Sequence, residues 1–353
     1  MKISFIDLKK FYQNKNVLIT GHTGFKGGWL SLFLKHLNSN TLGISLERLD
    51  ASVKSGFDKR LISQEILVDI NDVDRYRDQL INFKPEIIFY LAAQPFVRKA
   101  FLDPIQTFNY NVNGLIKFLD LIRSVRHAKF IVVVTSDKVY EQTDLGVNYT
   151  ENDRLGGIEP YGVSKAMQEM VSKCFFESYL KDRTSLITVR AGNVLGGGDF
   201  GKDRLIVDII ESIKSKKKMS VRFPNNTRPW QYILDLIYGY LCTVIEISKS
   251  KNTFDSFNFA ANKSHSVSEI LDFATKYWGN SFSYEINESD NNIYEQKNLS
   301  IDSNKIKNLI EWRTKNDLSE ILLPTFKWYK SFIENKDMRK INDDMVQNFF
   351  KVK

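Results

Sequence analysis

Asn16-Val17-Leu18-Ile19-Thr20-Gly21-His22-Thr23-Gly24-Phe25-Lys26-Gly27 is the stretch on which the fold turns. Five residues of strand-like, largely apolar character are followed at once by three glycines at three-residue spacing. From Trp29 to Leu37 the pattern becomes helical. One glycine permits a tight turn, one lets the backbone approach a pyrophosphate, and one lets the helix pack closely on the strand. The unpaired N–H groups at the helix start would then face the pyrophosphate. Gly21, Thr23, Gly24, Phe25, Lys26 and Gly27 are therefore expected to bind a dinucleotide. His22 reads as a spacer or hydrogen-bond partner inside the turn, not as a catalyst.

Working outward, further short apolar runs at 42–46, 65–68, 87–91, 130–135 and 186–190 read as strands. Helical patterns such as 107–122 and 161–180 lie between them. Near-continuous apolar strands separated by helices predict a Rossmann-type α/β fold, a doubly wound parallel sheet covered on both faces. After about Gly192 the texture changes. The glycine-rich Gly196-Gly197-Gly198 leads to a helical stretch from Leu205 and a strand-like 219–223. Amphipathic helices are expected at 267–277 and 318–328, with a polar, Asn-rich stretch at 287–292. The expected division is a dinucleotide-binding domain, 1–191, and a smaller mixed α/β substrate-binding region, 192–353, with some chain interleaving. Their contact is the natural ligand site.

The chain has 353 residues, 42% hydrophobic and 26% charged, a folded and not a disordered composition. No apolar run reaches the roughly 18 residues of a spanning helix. Residues 1–16 lack the apolar centre of a signal peptide, so no membrane partner and a cytoplasmic location are expected. Cys174 and Cys242 lie in apolar stretches and form neither a disulfide framework nor a metal pattern, which predicts a reducing compartment and no metal. The net charge of +8 raises the question of nucleic acid. Its densest cluster, 214–218, follows an apolar stretch and reads as a solvated helix end, so no nucleic-acid partner is expected. A basic balance also suits a substrate bearing a diphosphate.

An acid at the end of the second strand would bind the adenosine ribose and favour NAD. Here that strand ends near Ile44-Ser45-Leu46, with Glu47 and Arg48 just beyond, and NADP stays open. Asp69 and Ile70, after the third strand, are placed to meet the adenine ring; Asp69 reads equally as a helix cap.

Tyr161-Gly162-Val163-Ser164-Lys165 sets a phenol and an ammonium on one helical face. A cationic lysine there would lower the tyrosine toward working pH, letting Tyr161 take a proton from a sugar hydroxyl. Thr135, ending the fifth strand, is expected to bind the same hydroxyl. Asp137 and Lys138 follow it directly. Singly they read as a cap and a surface charge, a reading that loses weight directly after Thr135 at a strand end.

The segments Thr20 to Gly27, Leu91-Ala92-Ala93-Gln94-Pro95, Thr135-Ser136-Asp137-Lys138 and Tyr161-x-x-x-Lys165 resemble the extended short-chain dehydrogenase/reductase superfamily. More closely they resemble its CDP-glucose 4,6-dehydratases. Arg190-Ala191-Gly192-Asn193-Val194-Leu195-Gly196-Gly197-Gly198-Asp199, Asp203-Arg204-Leu205-Ile206 and Arg228-Pro229-Trp230-Gln231 continue the match in order. The resemblance implies NAD as cofactor, with Leu91, Ala92, Ala93, Tyr161 and Lys165 joining the cofactor set. It implies conversion of CDP-D-glucose to a 4-keto-6-deoxy sugar by C4 oxidation, loss of water across C5–C6 and hydride return to C6. Asp137 would protonate the leaving C6 hydroxyl, and Lys138, where dTDP-glucose dehydratases carry Glu, would take the C5 proton. Gln94, Asn193, Arg204 and Arg228 would hold the substrate, guanidinium groups suiting phosphate. Arg98 reads either as a ligand or as a surface residue, and Trp230 as packing. A homodimer through helices near 107–125 and 159–180 is implied, as is a place in deoxysugar synthesis for surface polysaccharides such as lipopolysaccharide O-antigen.

Two other classes stay open. A 4-epimerase or reductase would need Tyr161 and Lys165 but not Asp137 and Lys138, and other nucleotide sugars would be distinguished in the C-terminal half. A non-catalytic dinucleotide sensor or RNA-binding protein on the same scaffold is opposed by the retained Tyr161 and Lys165.

Overall fold

Seven strands run parallel in one sheet: β1 (Asn16–Thr20), β2 (Asn40–Ser45), β3 (Gln64–Leu67), β4 (Ile87–Tyr90), β5 (Phe130–Val134), β6 (Ser185–Ala191) and β7 (Phe254–Phe259). Their spatial order is β7-β6-β5-β4-β1-β2-β3, so the chain reverses direction across the sheet between β1 and β4. In such sheets the crevice at the reversal, beyond the carboxyl ends of the strands, is where ligands bind. The computed structural model describes residues 3–141, 148–287, 299–315 and 317–352. The Asn-rich stretch expected at 287–292 lies outside them from residue 288 onward.

The two-residue period of the strands feeds two cores. Val17 and Ile19 of β1, Phe89 of β4 and Val132 of β5 meet Trp29, Leu30 and Phe33 of the helix Phe25–His36 on one face. Leu18, Ile88 and Val133 point to the other, against Leu115, Phe118 and Leu119 of the helix Gly114–Ile122 and Phe176 and Leu180 beyond the helix Pro160–Phe175. Removing a side chain such as Phe33, fully buried, would cost about 3–5 kcal/mol.

The six expected strands stand within a residue or two of their sequence positions. The seventh, β7, was not legible: Phe254-Asp255-Ser256-Phe257-Asn258-Phe259 alternates apolar with polar residues, yet it lies parallel to β6 at the sheet edge. It is contributed by the chain after residue 192, as is the helix Ile233–Ile247, which packs beside Phe25–His36 in the first core. The strand expected at 219–223 is Met219–Val221, paired with Tyr284–Ile286. The lysines at 214–218 are the exposed end of the helix Leu205–Ser215. Cys242 is buried in Ile233–Ile247; Cys174, expected among apolar neighbours, is exposed on the outer side of Pro160–Phe175.

The glycine-rich turn is clamped in place. Trp29 Nε1 donates to the Gly197 carbonyl at 2.9 Å, and a Cβ on Gly197 would fall 2.0 Å from Cδ2 of Trp328. The Tyr329 hydroxyl donates to the Asp199 carbonyl at 2.6 Å. These contacts fix the loop that carries Asp199 and Arg204 over the ends of β1 and β5.

Candidate active site

The glycine turn has the form its sequence demands. Gly21 takes φ +72°, and a Cβ there would lie 2.9 Å from the Leu91 carbonyl carbon. Gly27 is more restrictive: its Cβ would sit 2.1 Å from the Gly21 carbonyl oxygen, so only glycine lets the helix rise against the turn. Thr20 accepts the N–H groups of Leu91 and Ala92 at 3.1 Å each, which joins the ends of β1 and β4. Leu91, Ala92 and Ala93 are all half-buried along this seam. Turn, helix start and seam form a cradle that suits a dinucleotide. Phe25 closes one side, its ring tip 3.4 Å from where a Cβ on Gly196 would be. Thr23 is held by its hydroxyl, which donates to the Glu47 carbonyl at 2.6 Å.

After β3, Asp69 Oδ1 accepts the Asn71 N–H at 2.8 Å, the local turn-capping geometry that its sequence position also allowed. Ile70 is buried, and its carbonyl accepts the Tyr76 hydroxyl at 2.8 Å.

The helix Pro160–Phe175 begins on an acidic N-cap. Glu159 accepts the N–H groups of Tyr161 at 2.7 Å and Gly162 at 2.8 Å, and Pro160 occupies the first turn. The cap aims Tyr161 and Lys165, one turn apart, at the end of β5. Lys165 is 3% exposed and donates to the Val134 carbonyl at 3.1 Å and Gln168 Oε1 at 2.9 Å. Burial, then the neighbouring Lys26, pull its ammonium down to about 7, against the opposing pull of Glu169. Burial also pushes the Tyr161 phenol up to about 12, while a hydrogen bond with Ser136 and the charge of Arg204 work the other way. Desolvation thus outweighs the charges around the phenol.

Thr135 is the residue expected to complete the redox set. Expected to bind the substrate hydroxyl, it donates its own hydroxyl to Glu169 Oε1 at 2.6 Å, two turns along the helix from Tyr161. Glu169 in turn forms a buried, two-pronged pair with Arg190, at 3.0 and 2.9 Å. Ser136 is hydrogen-bonded to the phenol of Tyr161. The quoted motif contained Ser136, but two adjacent hydroxyls at a strand end cannot be told apart without the strand's exact exit.

Asp137 opens a single 3-10 turn, Asp137–Val139, capped by the Ser136 hydroxyl through the Lys138 N–H at 3.2 Å. Its Oδ1 accepts the Ser136 hydroxyl at 3.0 Å, while its Oδ2 is buried and makes no hydrogen bond. Burial pushes its carboxyl above the usual aspartate range, against Lys138, the Ser136 hydrogen bond, Arg228 and Lys26. A buried carboxyl oxygen without a donor favours the protonated acid. Lys138 stands beside it with a side chain 21% exposed, its Nζ 3.9 Å from Glu159 Oε1. Lys26 reaches into the same cluster from the glycine turn, where burial and then Arg204 hold it down to about 8.

The substrate side is mixed. Arg204 donates to Asp199 Oδ2 at 2.5 Å and lies over the Phe96 ring at 5.6 Å. Arg228 is 6% exposed and close enough to Asp137 to act on its charge. Asn193 is half-buried, its carbonyl accepting the Gln231 N–H at 3.0 Å. The buried Gln94 spends its amide on the loop itself: Nε2 donates to Thr107 Oγ1 at 2.9 Å and to the Phe96 carbonyl at 3.1 Å, and Oε1 accepts the Phe96 N–H at 2.6 Å. Arg98 pairs with Asp203 at 2.7 Å. Trp230 is buried and donates to the His265 carbonyl at 3.1 Å, a packing role. Lys26, Lys138, Lys165, Arg204 and Arg228 thus gather at one end of the sheet, with Asp137, Asp199, Glu159 and Glu169 as the acids among them.

A parallel sheet with this glycine turn on β1 and Tyr161 and Lys165 beside the end of β5 defines an extended short-chain dehydrogenase/reductase. Within that class, the chain belongs to the family described as GDP-mannose 4,6 dehydratase, whose family model matches residues 18–324. It is 36% identical to a CDP-glucose 4,6-dehydratase of Salmonella typhimurium (strain LT2), over 96% of this chain and 98% of that protein. The fold is shared with the epimerase Mth375 of Methanothermobacter thermautotrophicus, with a TM-score of 0.81 at 20% identity over 95% of this chain and 97% of that one. It is shared likewise with DesIV, a dTDP-glucose 4,6-dehydratase of Streptomyces venezuelae solved with NAD and TYD bound, with a TM-score of 0.77 at 18% identity over 91% and 99% of the two chains.

Proposed function

We propose that the protein is an NAD-dependent nucleotide-sugar 4,6-dehydratase acting on CDP-D-glucose. The observation that carries this reading is the Asp137–Lys138 turn beside Tyr161, with a buried carboxyl oxygen of Asp137 left without a partner. Redox chemistry at C4 alone gives no use for that acid and the adjacent ammonium; elimination of water uses both. The CDP-glucose assignment is supported by the relative that is 36% identical along nearly the whole chain.

The cradle of Gly21, Gly24 and Gly27 and the 91–93 seam would hold the dinucleotide, with residues 1–191 contributing most of that site and 192–353 most of the sugar-nucleotide site. Bound NAD supplies an acceptor for the C4 hydride, a donor to C6, and a cationic ring that favours phenolate. Tyr161 takes the proton of the C4 hydroxyl, which Ser136 orients. The ketone so formed acidifies C5–H. Lys138 removes that proton, Asp137 gives its own to the departing C6 hydroxyl, and Lys138 would return a proton to C5 as C6 regains the hydride. Arg204, Arg228 and Asn193 hold the diphosphate and sugar. The basic cleft suits that dianionic bridge.

The test is turnover of a panel of CDP-, dTDP-, UDP- and GDP-hexoses, read by the alkali-induced absorbance of a 4-keto sugar. The expected result is product from CDP-glucose. A 4-epimer without keto sugar would overturn the reading. Lys138→Ala should abolish dehydration while a C4 oxidation signal survives in the absorbance of the bound cofactor. Loss of both signals, with folding and cofactor retained, would argue against the division of labour.

A further inference from the structure

The ends of β2 and β3 carry a polar cluster that the dehydration chemistry does not use. His22, inside the glycine turn, lies flat beneath β2, where a Cβ on Gly43 would fall 2.5 Å from the ring. Its Nδ1 meets Ser45 Oγ at 2.8 Å and its Nε2 meets Glu65 Oε1 at 2.8 Å. Parallel pairing of Gly43 with Glu65 brings that carboxylate alongside. The Arg48 guanidinium closes on the same Glu65 oxygen, and its Nη1 donates to the Phe57 carbonyl at 2.5 Å. The Arg48 Nε is buried without a partner. Side-chain exposures of 12% for Arg48 and 19% for Glu65 put the pair largely out of solvent.

Arg48 stands three residues beyond the end of β2. In a dinucleotide-binding sheet this is where a cation meets the 2′-phosphate of NADP, and where an acid meets the free ribose of NAD. Here the arginine is present but held. Its charge is cancelled by Glu65, and its fork is turned to Glu65 and the Phe57 carbonyl. We infer that Glu65 is a cofactor-specificity residue: by locking Arg48 it leaves the ribose pocket without a free cation and sets a carboxylate against a 2′-phosphate. His22 positions Glu65 from below. The same cluster explains why the strand end can favour NAD without carrying the usual acid. The inference rests on the NAD reading above.

The test is binding, not turnover. Dissociation constants of NAD, NADP, 5′-AMP and 2′,5′-ADP are measured by calorimetry on the cofactor-free, full-length protein. Glu65→Gln keeps the shape and an acceptor for both neighbours while removing the charge. It should tighten NADP relative to NAD by about tenfold or more, with 2′,5′-ADP following NADP and the gain shrinking as salt is raised. Adding Arg48→Met to Glu65→Gln should erase the gain. Arg48→Met alone bares the Glu65 carboxylate and should weaken NADP relative to NAD, with 2′,5′-ADP following NADP, and this arm stands even where Glu65→Gln fails to fold. An unchanged NADP-to-NAD ratio in a folded Glu65→Gln protein, or NADP binding no weaker than wild type in a folded Arg48→Met protein, overturns the inference alone. A wild-type protein that binds neither dinucleotide removes the NAD reading and this inference together.

Discussion

The Thr135 hydroxyl donates to Glu169 Oε1 at 2.6 Å, on the helix that carries Tyr161 and two turns further along it. Its neighbour Ser136 is the hydroxyl that Tyr161 meets. The two residues therefore fail in different ways when substituted. Thr135→Val leaves the buried Glu169 with one donor fewer and should cost about 1–3 kcal/mol of stability, read as a lower urea midpoint with turnover per folded molecule largely kept. Ser136→Ala should lower turnover per folded molecule by roughly 10²–10⁴-fold, beside a loss of about 0.5–2 kcal/mol of stability with the turn cap. The reverse pattern would return the orienting role to Thr135.

The helix pair Tyr161 and Lys165 was legible in sequence because four-residue spacing on a helix fixes a shared face. The glycine turn was legible because each glycine answers a steric demand. What was not legible depends on contacts between distant segments. Which of Thr135 and Ser136 enters the cleft depends on where β5 leaves the sheet. The direction of the Tyr161 shift depends on burial, which the order of residues does not state. The Arg48 lock needs the β2–β3 register, and β7 needs β6 as a neighbour before its polar residues make sense. Glu159 was within reach of a sequence argument, since an acid followed by proline before a helix is an N-cap signal.

Lys165 makes stability pH-dependent in a direction opposite to that of an ion-paired lysine. Its ammonium is held down to about 7 from 10.5, chiefly by burial. Between those values the unfolded chain carries a proton that the folded protein lacks. This group's contribution to stability therefore rises with pH through that window, and its cost is fully present below it. Lys26, held down to about 8, acts in the same sense over the upper part of the range. Urea midpoints of the cofactor-free wild type and Lys165→Met, compared from pH ~6 to ~10, should show the wild type gaining on the variant as pH rises. A constant difference would mean that Lys165 titrates normally.

Asp137 has the opposite linkage. Burial raises it above its ordinary range, so the folded protein holds a proton that the unfolded chain has lost. Stability falls as pH rises from the ordinary aspartate value through the folded one, and the loss is complete above it. Asp137→Asn should remove that pH dependence and stabilise the neutral-pH protein by about 0.5–2 kcal/mol. It should lower dehydration by roughly 10²–10⁴-fold. A variant that is both less stable and fully active would show that Asp137 serves the fold and not the reaction.

An apolar surface runs beside the active-site helix. Met170 is 64% exposed, Tyr179 50%, Met167 38%, and from the adjoining segment Leu102 86% and Ile105 82%. Large side chains left open on neighbouring helices usually mark an interface, because exposing such a patch in water is unfavourable. A second copy of the chain is the occupant we propose, packing its own Pro160–Phe175 helix against this one. Ile105→Asp with Met170→Asp would place two charges where each copy meets the other, at roughly 2 kcal/mol or more for each buried, unpaired charge. Light scattering at micromolar concentration should then report a dimer for the wild type and a monomer for the variant. Because Tyr161 and Lys165 lie on the same helix, the monomer should also lose turnover, and dilution of the wild type should reproduce that loss. A wild type that scatters as a monomer at every concentration would leave the patch to another partner and end the dimer proposal.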